Sequence, residues 1–453
     1  MKTQRFLGFW AAVALGVAAT GCDDDAPTTH HDDHGADGEE DDATRSLTYH
    51  RDVAPILAEH CLGCHTDGAI APFPLTTYDQ VLELAPVIDM VMAARTMPPP
   101  GVVADGSCNE FRNVEWVPDA QLELIHRWVD DGALEGEPDG PPPEPAPRPT
   151  LEGPTITAKL PRYLPTPDVE APYEDYQCFL APLDIDAPTY LTGFDVVPGN
   201  AEVVHHVLGF KIDPQANAER IAELDGESPD RPGWDCYGAG GEGLAIEGLL
   251  LGWAPGQGAG GFGNEVGYYV EPGDAVLVQV HYNLLDAEGE DETKILFQTA
   301  DTVERELMAA LPDPFLFSGQ FGGEPAVLEP GRESVTYEWT LPVRQALAFT
   351  FSPVDDWESI DLLGIAPHMH TRGRSLSLTL HTGEGDACGA QIDTWDFDWQ
   401  RMYIYDDPPR LKGSDEITVR CTYDTSEDET AITPGFGTDD EMCLVGLVAA
   451  IAE

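Results

Sequence analysis

Basic residues are scarce in this chain of 453 residues. Lys and Arg together number 23 against 82 Asp and Glu, which gives a formal net charge of -59. Such an acidic surface repels the phosphate backbone of DNA and RNA, so we expect no nucleic-acid partner. We interpret the acidity as a solubilising property of the surface rather than as evidence of a specific cationic partner.

Long apolar runs are also missing after the first 20 or so residues, so no later segment is predicted to span a membrane. Lys2 and Arg5 precede the apolar run Phe6 to Ala19, a pattern typical of an export signal. The following Thr20-Gly21-Cys22 resembles a bacterial lipoprotein cleavage site, which would make residues 1–22 a signal peptide and Cys22 the lipidated residue. The alternative is an ordinary signal peptide. We therefore expect a protein of the periplasm or cell envelope, lipid-anchored to a bacterial membrane.

Composition changes divide the rest of the chain. Residues 23–45 are acidic, contain His30, His31 and His34, and are nearly without apolar side chains, so they are predicted to form a disordered tether. A second acidic stretch, rich in proline, predicts a linker over 139–153. These boundaries leave two predicted folded parts, 46–138 and 154–453, and the length of the second favours a further division into 154–300 and 301–453.

Hydrophobic periodicity assigns a fold class to each part. Val53, Ile56 and Leu57 recur at helical spacing, and the amphipathic run Asp119 to Gly132 ends on a glycine, so 46–138 is predicted to be a small all-α domain. Short β-prone runs separated by turn residues then predict all-β structure, and about 300 residues suit two sandwiches better than one. The clearest runs are Tyr190–Val197, Ala275–Leu284, Leu347–Phe351, Ser375–Leu380 and Glu416–Tyr423.

Cys61-Leu62-Gly63-Cys64-His65 is a C-x-x-C-H motif. Its two thiols can bond to the vinyl groups of a haem, and the histidine can then bind the iron as an axial ligand. A redox dithiol needs no such histidine, and no second C-x-x-C is present to complete a zinc site. The motif therefore predicts one covalently bound haem c.

Met97 is the expected second axial ligand, because it lies on a proline-stiffened loop in Arg95-Thr96-Met97-Pro98-Pro99-Pro100. Other residues could take this role. The alternatives are Met90, Met92, His50 and His60. With these features, residues 46–138 resemble the single-haem cytochrome c family.

Five histidines and one methionine stand out in the β-rich part: His205, His206, His281, His368, His370 and Met442. On a strand, residues i and i+2 share a face, so His368 and His370 can bind one ion together. His205 and His206 are adjacent and need a bulge or a strand end to do so. Imidazole suits Cu, Zn, Fe and Ni, and a thioether favours Cu(I). Each pair alone is weak evidence of a site.

In this order the motifs resemble the ascorbate-dependent copper monooxygenases, the family of dopamine β-monooxygenase and peptidylglycine α-hydroxylating monooxygenase. The resemblance covers about residues 155–453. It includes H-H, V-H-Y, H-x-H and E-M-C in sequence, together with Tyr176-Gln177-Cys178, Gly252-Trp253-Ala254-Pro255-Gly256 and His370-Thr371-Arg372-Gly373-Arg374.

This resemblance implies two jelly-roll sandwiches that face each other across a cleft and hold two copper ions. His205, His206 and His281 would hold the electron-transferring copper. His368, His370 and Met442 would hold the catalytic copper, which uses O2 to hydroxylate a substrate C–H bond. The resemblance also implies disulfides between Cys421 and Cys443 and between Cys178 and Cys236.

The sequence departs from the family pattern at the substrate positions. Ala366 replaces the arginine of the peptide-amidating members, and Leu444 and Gly446 replace their Asn and Tyr. These changes argue against peptide amidation and leave a small organic substrate undefined. We expect the haem to replace ascorbate as the electron donor.

The nine cysteines leave six once Cys22, Cys61 and Cys64 are assigned, and an even remainder suits disulfides in an exported protein. Cys108 and Cys388 either pair across domains or stay free. The alternative to an enzyme is an electron-transfer or copper-binding protein of the same fold without turnover. A carbohydrate-adhesion sandwich would leave the histidines unexplained. All six ligand positions are present, which favours the monooxygenase.

Overall fold

The computed structural model of the chain describes residues 45–112, 114–138, 140–167, 173–236, 243–263, 265–285, 287–318, 326–349, 357–435 and 440–452. Cys22 and the tether histidines lie outside these residues. The chain divides into two compact units, Met1–Arg45 and Ser46–Glu453, and every element below belongs to the second. Among the described residues, no helix is both long and apolar enough to cross a membrane.

The segment up to residue 135 is mostly helical. Its elements are a π-helical turn Tyr49–Val53, α1 (Ala54–His60), α2 (Tyr78–Ala93), the short strand β1 (Phe111–Arg112) and α3 (Asp119–Asp130). A capping box begins α2, with the backbone N–H of Gln80 donating to the Thr77 side chain. The helices share a small apolar core that includes Leu57, Leu62 and Trp128. Because β1 interrupts this segment, the all-α prediction is incomplete.

The rest of the chain is β-rich, with two further helices. The elements are β2 (Thr155–Lys159), β3 (Glu174–Pro182), β4 (Thr189–Val197), β5 (Val204–Ile212), α4 (Ala218–Glu227), β6 (Trp234–Asp235), β7 (Ile246–Trp253), β8 (Gly260–Gly261), β9 (Val266–Val270), β10 (Ala275–Asn283), β11 (Lys294–Ala300), β12 (Arg305–Ala310), β13 (Val335–Pro342), α5 (Val343–Leu347), β14 (Ser359–His368), β15 (Gly373–Thr382), β16 (Gly385–Ile392), β17 (Tyr403–Tyr405), β18 (Arg410–Lys412), β19 (Glu416–Tyr423) and β20 (Leu444–Ile451).

These strands form three sheets around two apolar cores. The largest sheet has the order β1-β17-β14-β20-β12-β9-β4-β11-β2. The sheet β6-β3-β10-β5-β7 packs on its second half, and the sheet β13-β19-β15-β16 packs on its first half. The two halves join where β12 pairs with β9 in parallel. The result is two β-sandwiches that share one continuous sheet, so the predicted β-rich architecture is confirmed.

The predicted strand Leu347–Phe351 is wrong. Leu347 is the last residue of α5, in which Val343, Ala346 and Leu347 are all buried. Their i, i+3, i+4 spacing buries one helical face, and this packing outweighs the strand propensity of the single residues. The residues from 350 onwards in that run lie outside the described part of the chain.

The helical segment is tied to the second sandwich. Cys108 forms a disulfide with Cys388 of β16. β1 pairs with β17 and so becomes the edge strand of the large sheet. The N–H of Val103 also donates to the carbonyl of Gln391 at 2.7 Å. A covalent bond and a strand pairing therefore both fix this part of the segment.

The helical segment and the residues predicted as a linker also contact the first sandwich. Arg148 donates from Nη2 to the carbonyl of Gly63 at 2.9 Å. Ala259, in the loop after β7, donates its N–H to the carbonyl of Pro149 at 2.9 Å. The C-x-x-C-H motif is thus held beside the loop that follows β7.

Candidate metal centres

The first histidine cluster lies on two neighbouring strands. His206 on β5 is the Cα partner of His281 on β10, and the next pair is Val204 with Tyr282. His205 is therefore the extra residue of a β-bulge, the local irregularity that two adjacent histidines need in order to reach one ion. The structure brings all three predicted residues together.

The nitrogens of this cluster converge. One ring nitrogen from each of His205, His206 and His281 lies within 4.8 Å of the others. The Nδ1 atoms of His206 and His281 are 3.2 Å apart. Nδ1 of His205 is buried without a hydrogen-bond partner. Buried polar atoms are normally satisfied, so three convergent imidazoles with this orphaned nitrogen fit a bound Cu or Zn ion.

The surroundings keep these imidazoles neutral. Burial lowers the pKa of His205 to about 4. Burial, together with the neighbouring His205 and His368, lowers the pKa of His206 to about 3. A neutral imidazole keeps the lone pair that a metal requires at neutral pH. Tyr176 stacks on His281 with ring centroids 4.1 Å apart, which fixes the ring plane.

The second cluster lies at the end of β14. His368 is its last residue, His370 lies in the turn that follows, and their ring centroids are 5.1 Å apart. Nδ1 of His368 contacts the Gln400 side chain, and Nδ1 of His370 lies 2.9 Å from the carbonyl of Asp440. Such contacts fix the tautomer of each ring, and the contact of His368 leaves its Nε2 available to a metal. Burial lowers the pKa of His368 to about 3.

Met442 is held beside these histidines by its own segment. Glu441 is fully buried and accepts the backbone N–H groups of His370 at 2.9 Å and Arg372 at 2.8 Å. The hydroxyl of Tyr423 donates to the carbonyl of Met442 at 2.7 Å. Glu441 and Tyr423 were not predicted as positioning residues, although Glu441 is next to Met442 and Tyr423 ends a predicted strand.

One cavity of about 640 Å³ connects the two clusters. His206 lines it from the first sandwich, and His368, His370 and Met442 line it from the second. Most of the remaining wall is apolar. It includes Leu208, Phe210, Leu244, Leu249, Leu311, Phe317, Phe349, Phe397, Ala366 and Leu444.

The described residues contain three disulfides. Cys178–Cys236 and Cys421–Cys443 are the pairs that the family resemblance implied, and Cys108–Cys388 settles the alternative that the sequence left open. Disulfides persist in oxidising compartments, so they indicate a protein that works outside the cytoplasm.

Cys61 and Cys64 are the unpaired cysteines of the described chain. They begin and end the first turn after α1, and His65 follows with Nδ1 3.1 Å from the carbonyl of Phe73. That contact leaves Nε2 free for a metal. Two unpaired thiols and an imidazole of fixed tautomer fit the attachment of a haem c.

Met97 is not brought to His65 in the same way. It is 41% exposed and lines a small cavity with Trp116 and Leu122, and His65 is not part of that lining. Of the alternatives, Met92 is packed in the helical core, Met90 is 62% exposed, and His60 contacts Gln121 at 2.9 Å. His50 lies 3.6 Å from a carboxylate oxygen of Glu135. The axial role of Met97 stays a prediction.

Two sandwiches with a histidine cluster on each side of one cavity are the arrangement of a candidate two-centre metalloprotein. Residues 352–448 match the family model of the copper type II ascorbate-dependent monooxygenase C-terminal domain. That range contains His368, His370 and Met442. Among curated proteins, the chain is similar to the DBH-like monooxygenase protein 2 of Mus musculus, with 25% identity over 280 residues.

That alignment covers 60% of this chain and 42% of the mouse protein. Both findings point to the copper type II ascorbate-dependent monooxygenase family, and the family model itself matches residues 352–448. Among solved structures, the infectious bursal disease virus VP2 subviral particle shares 11% identity over 67% of this chain and 74% of its own, with a TM-score of 0.15. A TM-score this low carries no argument about the fold.

Proposed function

We propose that this protein is an exported copper-dependent monooxygenase that uses O2 to hydroxylate a C–H bond of a small organic substrate, with electrons supplied through an attached c-type haem. The observation that supports it best is the shared cavity, because residues of both histidine clusters and Met442 line it. Copper at these two positions would supply one-electron redox chemistry with O2.

The residues around the cavity have defined roles in this proposal. His205, His206 and His281 bind one copper, and His368, His370 and Met442 bind the other. Gln400 and Asp440 orient the rings of His368 and His370. The apolar wall excludes water and selects an apolar substrate, and Ala366 and Leu444 offer no charge to anchor a peptide carboxylate.

The contacts of the C-x-x-C-H segment support the haem as electron source. A Cβ at Gly256 would come within 3.4 Å of Sγ of Cys64, so the Gly256 backbone lies against the Cys64 side chain. Gly256 follows β7, whose Trp253 pairs with Val207, the residue after His206. Cys61, Cys64 and His65, with Met97, are the residues that would hold the haem. Gly256, Trp253 and Val207 therefore connect Cys64 with the first centre.

The first experiment is metal analysis of the full chain after copper reconstitution, with a reduced haem spectrum on the same sample. Two coppers and one haem per chain are expected. One haem without copper would contradict the monooxygenase proposal. Copper uptake without oxygen consumption in the presence of a reductant would instead favour the electron-transfer or copper-binding alternative.

Replacing Met442 with Leu tests the second centre. Leucine keeps the buried volume but removes the thioether, so we expect loss of Cu(I) from this centre and at least about tenfold slower oxygen consumption, with little change in stability. Met308→Leu is the matched control, because Met308 is buried on β12 and does not line the cavity. Equal copper content and activity in both variants would refute the role of Met442.

A further inference from the structure

Two carboxylates lie beside the first histidine cluster and have no role in the function proposed above. Glu174 is the first residue of β3 and the Cα partner of Asn283, while His281 pairs with Tyr176 two residues along the same strands. Side chains two residues apart on a strand point to the same face of the sheet, so Glu174 and His281 share one face. Asp398 arrives from the loop between β16 and β17.

These three side chains converge. One oxygen of Glu174, one oxygen of Asp398 and one ring nitrogen of His281 lie within 4.8 Å of one another. Both carboxylates are half-buried. Two carboxylates that are partly removed from water and close together repel each other unless a cation joins them.

Neighbouring side chains do not supply that cation. Within the described part of the chain, neither carboxylate takes part in an ion pair or a side-chain hydrogen bond. The loop adds more negative charge, because Asp396 accepts the backbone N–H of Asp398 at 3.0 Å. The local charge is therefore uncompensated by the protein.

His281 provides the independent indication of a ligand. Its Nδ1 faces His206 in the first centre, so Nε2 is the ring nitrogen left for the carboxylates. This Nε2 is buried in a residue that is 0% exposed, and it has no hydrogen-bond partner. One carboxylate would be enough to accept a hydrogen bond from Nε2–H, and a second one adds only repulsion. A bound cation satisfies all three groups.

We infer that Glu174, Asp398 and Nε2 of His281 form a binding site for a first-row divalent cation such as Zn²⁺, distinct from both histidine centres. Two carboxylate oxygens and one imidazole suit Zn²⁺ or Mn²⁺, with water completing the coordination. His281 then bridges this cation and the first centre through its two nitrogens. The site rests on the proposed function only because it shares His281 with that centre.

The test is a calorimetric Zn²⁺ titration of the metal-free full chain, with metal analysis after gel filtration. We compare the wild type with the double variant Glu174→Gln/Asp398→Asn. The control is Glu202→Gln/Asp184→Asn, which removes the same charge at two exposed positions. We expect the double variant to bind one equivalent of Zn²⁺ fewer than the wild type, and the control to bind as many as the wild type. Because the double variant relieves repulsion, it should fold, which the thermal midpoint verifies.

If the double variant and the wild type bind the same number of Zn²⁺ ions, the inference is overturned. This holds even if the affinity of the first centre changes, because carboxylates that only orient His281 would produce that pattern. His205→Ala separates the two proposals. It should remove the first-centre equivalent and keep the one that depends on Glu174 and Asp398. If His205→Ala binds as many Zn²⁺ equivalents as the wild type, the first centre is contradicted. If the double variant binds as many as the wild type, the new site is contradicted.

Discussion

At the scale of single residues, the orientation of each imidazole depends on a partner that is far away in sequence. Gln400 lies 32 residues after His368, yet its side-chain oxygen contacts Nδ1 of that ring. Gln400 is itself held by a hydrogen bond from Nε2 to the carbonyl of Phe397 at 2.9 Å. Because an acceptor at Nδ1 places the proton there, Gln400 selects the tautomer in which Nε2 can bind a metal.

Replacing Gln400 with Leu removes this acceptor at nearly constant volume. We expect copper at the second centre to bind about 10- to 100-fold more weakly, the typical effect of losing such a supporting contact. Competition with a Cu(I) chelator measures the affinity. Gln391→Leu, in the edge strand β16, is the control and should leave it unchanged. Wild-type affinity in Gln400→Leu would mean that packing alone orients His368.

The sequence could identify the residues with metal-binding chemistry, but not the residues that position them. His205, His206, His281, His368, His370 and Met442 were predicted from residue type and order. The role of Gln400 was not predicted, because a glutamine in a polar loop carries no local signal of a tertiary contact. Glu441 was noted as part of the E-M-C motif, but the motif does not show that its carboxylate holds the backbone of His370 and Arg372. Their roles depend on which loop packs on which strand, and that is set by the sheet topology.

At the scale of elements, an ion-pair network joins strands of the large sheet. Asp361 on β14 contacts Nη1 of Arg305 on β12 at 2.6 Å, across the intervening β20. It also accepts from Nε of Arg410 on β18 at 2.9 Å. Burial alone would raise the pKa of Asp361, but the hydrogen bonds from Arg410 and Arg305 outweigh it and lower the pKa.

Asp361→Asn should therefore destabilise the protein in a pH-dependent way. A carboxyl whose pKa is lower in the folded state stabilises it above the unfolded pKa of about 3.9, and this stabilisation is lost as the pH falls through the folded value. We expect a loss of about 1–3 kcal/mol at pH 7, and a smaller difference from wild type near pH 3. Urea unfolding at both pH values measures it.

Asp301→Asn is the control for that series, because Asp301 is an exposed residue that follows β11. It should unfold like the wild type at both pH values. A difference between Asp361→Asn and wild type that stays constant from pH 7 to pH 3 would contradict an electrostatic origin. It would instead assign the effect to side-chain packing at β14.

Helices and strands were predicted best where one hydrophobic period dominated the run of residues. The Asp119 to Gly132 run became α3, ended by Gly132 at φ +94°. The Glu416–Tyr423 run became β19, in which buried and more exposed residues alternate. The error at Leu347 came from a short apolar run, in which strand and helix cannot be separated by periodicity. The burial of Leu347 depends on tertiary contacts that cannot be read from the local sequence.

At the scale of the whole molecule, the Cys108–Cys388 disulfide connects parts of the chain that are 280 residues apart. No local pattern could have predicted this pairing. It brings residues of the helical segment onto the second sandwich, while Arg148 contacts Gly63 of the helical segment and Pro149 contacts Ala259 of the first sandwich. The candidate haem motif is therefore held in a fixed place relative to both sandwiches, rather than on a free linker.

We expect the double variant Cys108→Ser/Cys388→Ser to loosen this attachment. Closing so long a loop restricts the unfolded chain strongly, so its loss should lower the free energy of unfolding by about 2–5 kcal/mol. Hydrogen exchange should increase most at β1 and its partner β17, and remain unchanged at β5 and β10, which carry the first histidine cluster.

The variant Cys421→Ser/Cys443→Ser provides the contrast. Its bridge closes only 22 residues and flanks Met442, so its loss should affect copper at the second centre while exchange at β1 stays at the wild-type level. If β1 kept full protection without the Cys108–Cys388 bond, the β1–β17 pairing and the Val103–Gln391 hydrogen bond would be sufficient to hold the segment. The disulfide would then stabilise the fold without positioning the haem motif.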